Sequence, residues 1–171
     1  LSVGATTVLN SNRMTPDLVM SILEKCKPSL FFAVPTLYAS VLANPANKLC
    51  ENSRLRLCVS AGEALPAEIG TRWKDRFEVD ILDGVGSTEM LHIYLSNRPG
   101  IIRYGTSGVN VPGYEIRLID EFGKDIDNAD IGELLVSGPS SPEGYWNQRE
   151  KNLRTFVGKW TYTGDKYYRD D

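Results

Sequence analysis

The sequence carries little that would tie it to nucleic acid, to a membrane or to a metal cluster. Its 19 Lys and Arg stand against 22 Asp and Glu, a formal net charge of −3. There is thus no basic field for a phosphate backbone and no acidic tail. Apolar runs are short, Leu30 to Pro35 among the longest, against the roughly 20 residues a membrane-spanning helix needs. No leader pattern opens the chain. Three cysteines, Cys26, Cys50 and Cys58, form no CxxC pair and have one histidine for company, so a zinc site or disulfide framework is short of partners and reduced, inert thiols are expected. A soluble, cytoplasmic protein is the expectation, without nucleic-acid partner or membrane span. The chain opens on Leu1 rather than Met and closes on Asp170-Asp171 after a strand-like Lys166-Tyr167-Tyr168-Arg169. Both ends read as cuts through a longer polypeptide.

What is present is an alternation of short apolar runs with helical stretches from residue 1 to about 104, the pattern of βαβ units and a largely parallel sheet. Thr15-Pro16-Asp17 is a helix start, with an N-cap, a Pro at the first position and an acid in the first turn. Leu18, Val19, Ile22 and Leu23 follow on one face, and Pro28 ends the helix before a strand from Leu30 to Val34. Pro35-Thr36 opens a second helix, broken at Asn44-Pro45. Leu55, Leu57 and Val59 alternate as a strand, Pro66 starts a helix with Ile69 and Trp73 one turn apart, and Val79 to Leu82 is a further strand. After Gly105 short strands and turns take over: Tyr114 to Ile119, a turn at Glu121 to Lys124, Glu133 to Val136, and two short strands flanking a Gly164-Asp165 corner. The fold class is therefore α/β, a partial parallel βαβ layer over 1–104 followed by a small antiparallel β unit over 105–171.

Three segments stand where strands run into loops, the place where ligands gather in open parallel sheets. Ser60-Ala61-Gly62-Glu63-Ala64-Leu65-Pro66 is rich in small residues that let backbone approach a flat ring; it reads equally as a tight strand-to-helix turn. Gly84-Val85-Gly86-Ser87-Thr88-Glu89 offers a glycine cradle for phosphate, the Thr88 hydroxyl and the hard oxygen of Glu89 that Mg²⁺ prefers. It also reads as a glycine turn with Thr88 capping a helix through Leu91 and Glu89 in its first turn. Glu89 stands where a dinucleotide fingerprint needs its third glycine, and the GxxxxGK[ST] phosphate loop is absent. In Trp160-Thr161-Tyr162-Thr163-Gly164-Asp165 an aspartate could accept from two ribose hydroxyls, or could sit in a solvated hairpin turn.

Ser60 to Pro66, Gly86-Ser87-Thr88-Glu89, Gly132-Glu133-Leu134 with Gly138-Pro139 and Gly144-Tyr145, and Tyr162-Thr163-Gly164-Asp165 follow one another in the order of the core motifs of the adenylate-forming superfamily. The chain resembles that superfamily, which includes acyl- and aryl-CoA ligases, luciferases and peptide-synthetase adenylation domains, along essentially its whole length. The resemblance implies that Gly62, Glu63 and Ala64 line the adenine, that Val85, Gly86 and Ser87 border the nucleotide, that Thr88 touches the α-phosphate, that Glu89 binds Mg²⁺ and that Asp165 holds the ribose. Many members carry an aromatic residue where this chain has Val85. Gly132 to Pro139 and Gly144-Tyr145 take structural roles. The reaction implied is attack of a substrate carboxylate on the α-phosphorus of ATP, then transfer of the acyl group to CoA; no protein nucleophile is needed, so catalysis rests on positioning and charge neutralisation. The family's phosphate loop and the C-terminal domain that brings a lysine are expected outside these residues, so the chain alone is expected to be inactive.

Met90-Leu91-His92-Ile93 and Phe32 to Tyr38 resemble benzoate-type CoA ligases. That resemblance implies an aryl pocket bordered by Ala61, Gly86 and His92, while a partly buried helical His92 with a satisfied ring is the plainer alternative. Benzoate or a substituted benzoate is the expected acid. A fatty-acyl-CoA ligase or another adenylating enzyme is the alternative within the superfamily. A nucleotide-dependent dehydrogenase, built on a strand, Gly-x-Gly turn and helix at 79–93, and a non-catalytic nucleotide-binding module are the alternatives outside it.

Overall fold

A computed structural model describes residues 3–126 and 130–170; the terminal Leu1 and Asp171 lie outside the described residues. The chain forms two compact units, Leu1–Asp83 with Asn97–Thr106, and Gly84–Ser96 with Ser107–Asp171.

In the first unit the helix starts and the strands follow from local chemistry. Helix α1 (Pro16–Cys26) begins at Thr15, whose hydroxyl accepts from the Leu18 amide at 3.3 Å, and ends at Lys27 in the left-handed region. It buries Val19 and Leu23. Strand β1 (Leu30–Ala33) leads into α2 (Pro35–Ala43), β2 (Leu57–Ser60) leads into α3 (Ala67–Phe77), and β3 (Ile81–Gly86) follows. β1 pairs parallel to β2, and β2 parallel to the start of β3, with Phe31 opposite Cys58 and Cys58 opposite Ile81. Those residues pack with Tyr38, Trp73 and Phe77 in one core. The Trp73 ring lies 4.8 Å from Tyr38 edge-on and 4.3 Å from Phe77. Tyr38 donates its buried hydroxyl to the Val59 carbonyl at 2.9 Å, and burial pushes the Cys58 thiol up to about 12, which keeps it protonated and unreactive.

The second unit begins inside β3. Its last residues, Gly84 to Gly86, pair antiparallel with β4 (Ile93–Ser96), which pairs with β5 (Val109–Asn110). No helix follows β3: residues 87–92 form a tight reversal, so Thr88 does not cap a helix and His92 is not helical. The same finding removes the strand–turn–helix on which a dinucleotide reading depended. Gly84 and Gly86 are strand residues because β4 crosses too close for a side chain. A Cβ at Gly86 would stand 2.5 Å from the His92 carbonyl oxygen, and one at Gly84 would stand 2.9 Å from the Ile93 side chain.

The other sheet of this unit holds β6 (Glu115–Ile119), β7 (Gly132–Ser137), β9 (Trp160–Tyr167) and β8 (Phe156–Val157) in that order, all antiparallel. The turn expected at 121–124 is built on Asp120, whose Oδ1 accepts from the Phe122 and Lys124 amides at 2.9 Å each. The corner expected at Gly164-Asp165 is not a corner. β9 continues through it, and the register shifts so that Glu133 faces Lys166 while Leu135 faces Tyr162, a bulge made possible by Gly164 at φ 79°. A short helix, α4 (Arg149–Thr155), precedes β8 and buries no residue. Met90, Tyr94, Leu95, Tyr114, Leu118, Leu134 and Val136 form the core. No helix among the described residues is long and apolar enough to cross a membrane.

Candidate functional site

The expected residues fall into both units. Ala61, Gly62, Glu63 and Ala64 form the loop after β2 in the first. Gly62 adopts φ 93°, which only glycine takes without strain, and Glu63 and Ala64 are exposed. The loop is pinned where it ends: the buried Leu65 donates its amide at 3.3 Å to Asp83 Oδ2. Asp83 is only 3% exposed and lies in register with Ser60. Sequence reasoning passed it over, although a carboxylate closing the apolar pair Ile81-Leu82 is a signal in itself, since buried charge needs partners.

Val85, Gly86, Ser87, Thr88, Glu89, His92 and Asp165 belong to the second unit. Val85 packs against its core. Ser87 closes the reversal after β3, its side-chain and main-chain oxygens accepting from the buried Met90 amide at 3.2 and 3.3 Å. Thr88 is left exposed and Glu89 half-buried. The Tyr145 hydroxyl donates to Glu89 Oε1 at 2.5 Å. That bond, more than any other influence, holds the Glu89 carboxyl below the usual glutamate range; its own amide, the Ser87 hydroxyl and the Lys151 charge act in the same direction against desolvation. Burial and then the adjacent carboxylate push the Tyr145 phenol up. The proton therefore stays on the tyrosine, and Glu89 is the ionised acceptor.

Tyr145 is itself clamped, a feature sequence reasoning missed. Its amide donates to Asn152 Oδ1 at 2.7 Å and its carbonyl accepts from Asn152 Nδ2 at 3.0 Å. Lys151, the preceding residue of α4, places its ammonium 3.9 Å from the centre of the Tyr145 ring. Gly144 makes the clamp possible, because a Cβ there would come within 2.8 Å of the Asn152 side-chain nitrogen.

Asp165 stands exposed on the β9 bulge. Its amide donates to Thr163 Oγ1 at 3.1 Å while that hydroxyl donates to the Leu134 carbonyl at 2.7 Å, so the backbone of the bulge is fixed from beneath. Tyr94 on β4 is fully buried, and its hydroxyl has no hydrogen-bond partner among the described residues. Burial, followed by the negative fields of Asp165, Tyr167 and Glu89, pushes its phenol up.

His92 is exposed, with Nδ1 2.7 Å from the Ile93 carbonyl and Nε2 2.9 Å from the Tyr114 hydroxyl. Ser140 donates to the Met90 carbonyl at 2.6 Å and so can only accept from Tyr114, 2.7 Å away. Gly86 meets the His92 backbone, while Ala61, the third residue expected around an aryl ring, belongs to the first unit.

Among the described residues no group of three or more His, Cys, Asp or Glu is arranged to hold a metal. A single hard carboxylate fits Mg²⁺, which binds through one or two carboxylates and takes its remaining oxygens from phosphates and water. A hollow of about 470 Å³ beside α4, lined by Asn147, Arg149, Leu153 and Phe156 among others, includes none of the expected residues.

Comparison with known proteins agrees with this arrangement of strands and turns. The benzoate–CoA ligase of Thauera aromatica is 58% identical over 172 aligned residues, covering 100% of this chain and 33% of that protein. A solved benzoate CoA ligase from Burkholderia xenovorans LB400 matches with a TM-score of 0.94 at 50% identity, over 98% of this chain and 34% of that one. An anthranilate CoA ligase solved with anthranoyl-AMP matches with a TM-score of 0.94 at 45% identity, over 98% of this chain and 33% of that one. The chain spans about a third of the length of the curated relatives it matches. The AMP-binding enzyme family matches residues 1–146, and it is to this family that the chain belongs.

Proposed function

We propose that these residues are the nucleotide-binding part of an ATP-dependent aryl-CoA ligase acting on benzoate or a substituted benzoate. The observation that carries this reading is the pair of carboxylates in one unit, the half-buried Glu89 kept ionised by Tyr145 and the exposed Asp165 on a glycine bulge. Two hard, differently held acceptors suit the two chemically different ends of a nucleotide, the metal-bound phosphates and the ribose diol.

In this reading Asp165 accepts from the ribose hydroxyls, Gly62, Glu63 and Ala64 line the adenine, and Val85, Gly86 and Ser87 form the wall beside the phosphates. The exposed Thr88 hydroxyl donates to the α-phosphate. Glu89 holds Mg²⁺, which supplies neutralisation of phosphate charge when bound. Gly86 and His92 border the aryl group, with the His92 ring fixed by Tyr114 and Ser140. The acid's carboxylate attacks the α-phosphorus and pyrophosphate leaves; the CoA thiol then attacks the acyl carbon and AMP leaves with the bonding pair. The relatives are benzoate and anthranilate CoA ligases, one of them solved with anthranoyl-AMP, which supports the substrate class. ATP and CoA are cytoplasmic, and that is where such an enzyme works. The phosphate loop and lysine-bearing domain of the family complete it.

The experiment is a panel of benzoate, hydroxybenzoates, anthranilate and a fatty acid, assayed with the full-length protein for AMP and pyrophosphate. The reading expects benzoate-type acids to give AMP and aryl-CoA in equal amounts. Turnover of the fatty acid alone, or ATP binding with no acid-dependent AMP, would replace it.

A further inference from the structure

The tyrosine that meets Glu89 is built into the fold more firmly than an incidental hydrogen bond requires. Its backbone is closed onto Asn152 by two hydrogen bonds of 2.7 and 3.0 Å, its ring lies under the Lys151 ammonium at 3.9 Å, and its hydroxyl reaches Glu89 Oε1 at 2.5 Å. Asn152 and Lys151 are adjacent on α4, a helix that buries no residue of its own. With no apolar face to bury, its contacts toward Tyr145 are polar. Gly144 has no side chain at the point where one would strike Asn152.

We propose that Tyr145, clamped by Asn152 and Lys151, is a positioning residue that sets how Glu89 takes its metal: its hydroxyl holds Oε1, fixes the carboxylate and favours a single-oxygen contact with Mg²⁺. The proposal rests on the reading of Glu89 as the Mg²⁺ ligand. A carboxylate with both oxygens free can bind a cation through either or both, which suits Ca²⁺; one with a short hydrogen bond on one oxygen is biased toward contact through the other, which suits the small octahedral ion. A fixed donor also orders the side chain before metal arrives, so less freedom is lost on binding.

The test is calorimetric titration of ATP into the full-length protein across a Mg²⁺ series and, separately, in chelator. Glu89→Gln establishes whether Glu89 carries the Mg²⁺ dependence of ATP affinity at all. Given that it does, Tyr145→Phe raises the half-saturating Mg²⁺ concentration by about tenfold, the low end of effects for partners of metal ligands, and leaves ATP affinity in chelator unchanged. Asn152→Ala, which keeps the hydroxyl and loosens the clamp, gives a smaller shift in the same direction. Ca²⁺ gains on Mg²⁺ in Tyr145→Phe. An unchanged Mg²⁺ midpoint in Tyr145→Phe, beside a raised one in Glu89→Gln, overturns the proposal and leaves the Glu89 reading standing. No shift in either variant overturns both. Equal losses of ATP affinity with and without Mg²⁺ make Tyr145 merely structural and also overturn it.

Discussion

The two compact units are held by different physics. In the first, Phe31, Tyr38, Trp73 and Phe77 form a nested aromatic cluster, and its buried polar groups, the Tyr38 hydroxyl and Asp83, bond backbone, while its side-chain pairs such as Lys74–Asp80 are part-exposed. In the second, the side chains of greatest interest are tied to one another: Glu89 to Tyr145, and His92 through Tyr114 to Ser140. Apolar burial is non-directional and indifferent to pH, whereas a hydrogen-bonded carboxylate is directional and titrates. The difference teaches where to look for chemistry.

The largest effect separates the units by size of loss. Trp73 is fully buried among Tyr38, Phe31 and Phe77, so Trp73→Ala leaves a cavity and costs about 3–5 kcal/mol of stability. Urea denaturation should show that loss equally at pH 5 and pH 7. A loss under about 1 kcal/mol would mean that the aromatic cluster does not hold the unit.

A smaller effect separates them by pH. Because the folded Glu89 carboxyl lies below its ordinary value, its contribution is fully present above the ordinary glutamate range and is lost as pH falls through the folded value. Tyr145→Phe removes the largest cause. The stability gap between wild type and Tyr145→Phe, about 1 kcal/mol or less for so accessible a pair, should be widest near neutral pH and close in acid. Measured in chelator, a gap that stays constant down to pH 3 would show that the hydroxyl does not act through the carboxylate's charge.

How much of this was legible in the sequence depends on whether the signal was local. Thr15-Pro16-Asp17, Pro35 and the alternation of Leu55, Leu57 and Val59 state their structures within a few residues, and α1, α2 and β2 stand where they point, β2 beginning at Leu57 rather than Leu55. The reversal at 87–92 was misread because glycine after a strand usually marks a turn. Here Gly84 and Gly86 are inside the strand, and the reason they are glycine is a backbone crossing from β4. Helix α4 left no trace, since Arg149 to Thr155 buries nothing and has no apolar stripe. The Gly164-Asp165 bulge hides in the same way, because its register depends on Leu134, thirty residues earlier. Tyr145 was visible only as half of a Gly-Tyr pair. Its partner is 56 positions away, and no periodicity reports such a contact.

The central claim, that the carboxylates Glu89 and Asp165 of the second unit hold a nucleotide, is tested most directly at Asp165. The measurement is ATP affinity of the full-length protein and of Asp165→Ala, each compared with 2′-deoxy-ATP and 3′-deoxy-ATP. If the carboxylate accepts from the ribose hydroxyls, Asp165→Ala weakens ATP by about 1.5–3 kcal/mol, the range for charge-assisted hydrogen bonds. Wild type then discriminates against at least one deoxy analogue and the variant loses most of that discrimination, since one interaction cannot be removed twice. Penalties from the mutation and from the missing hydroxyl that simply add would place the ribose elsewhere and contradict the account.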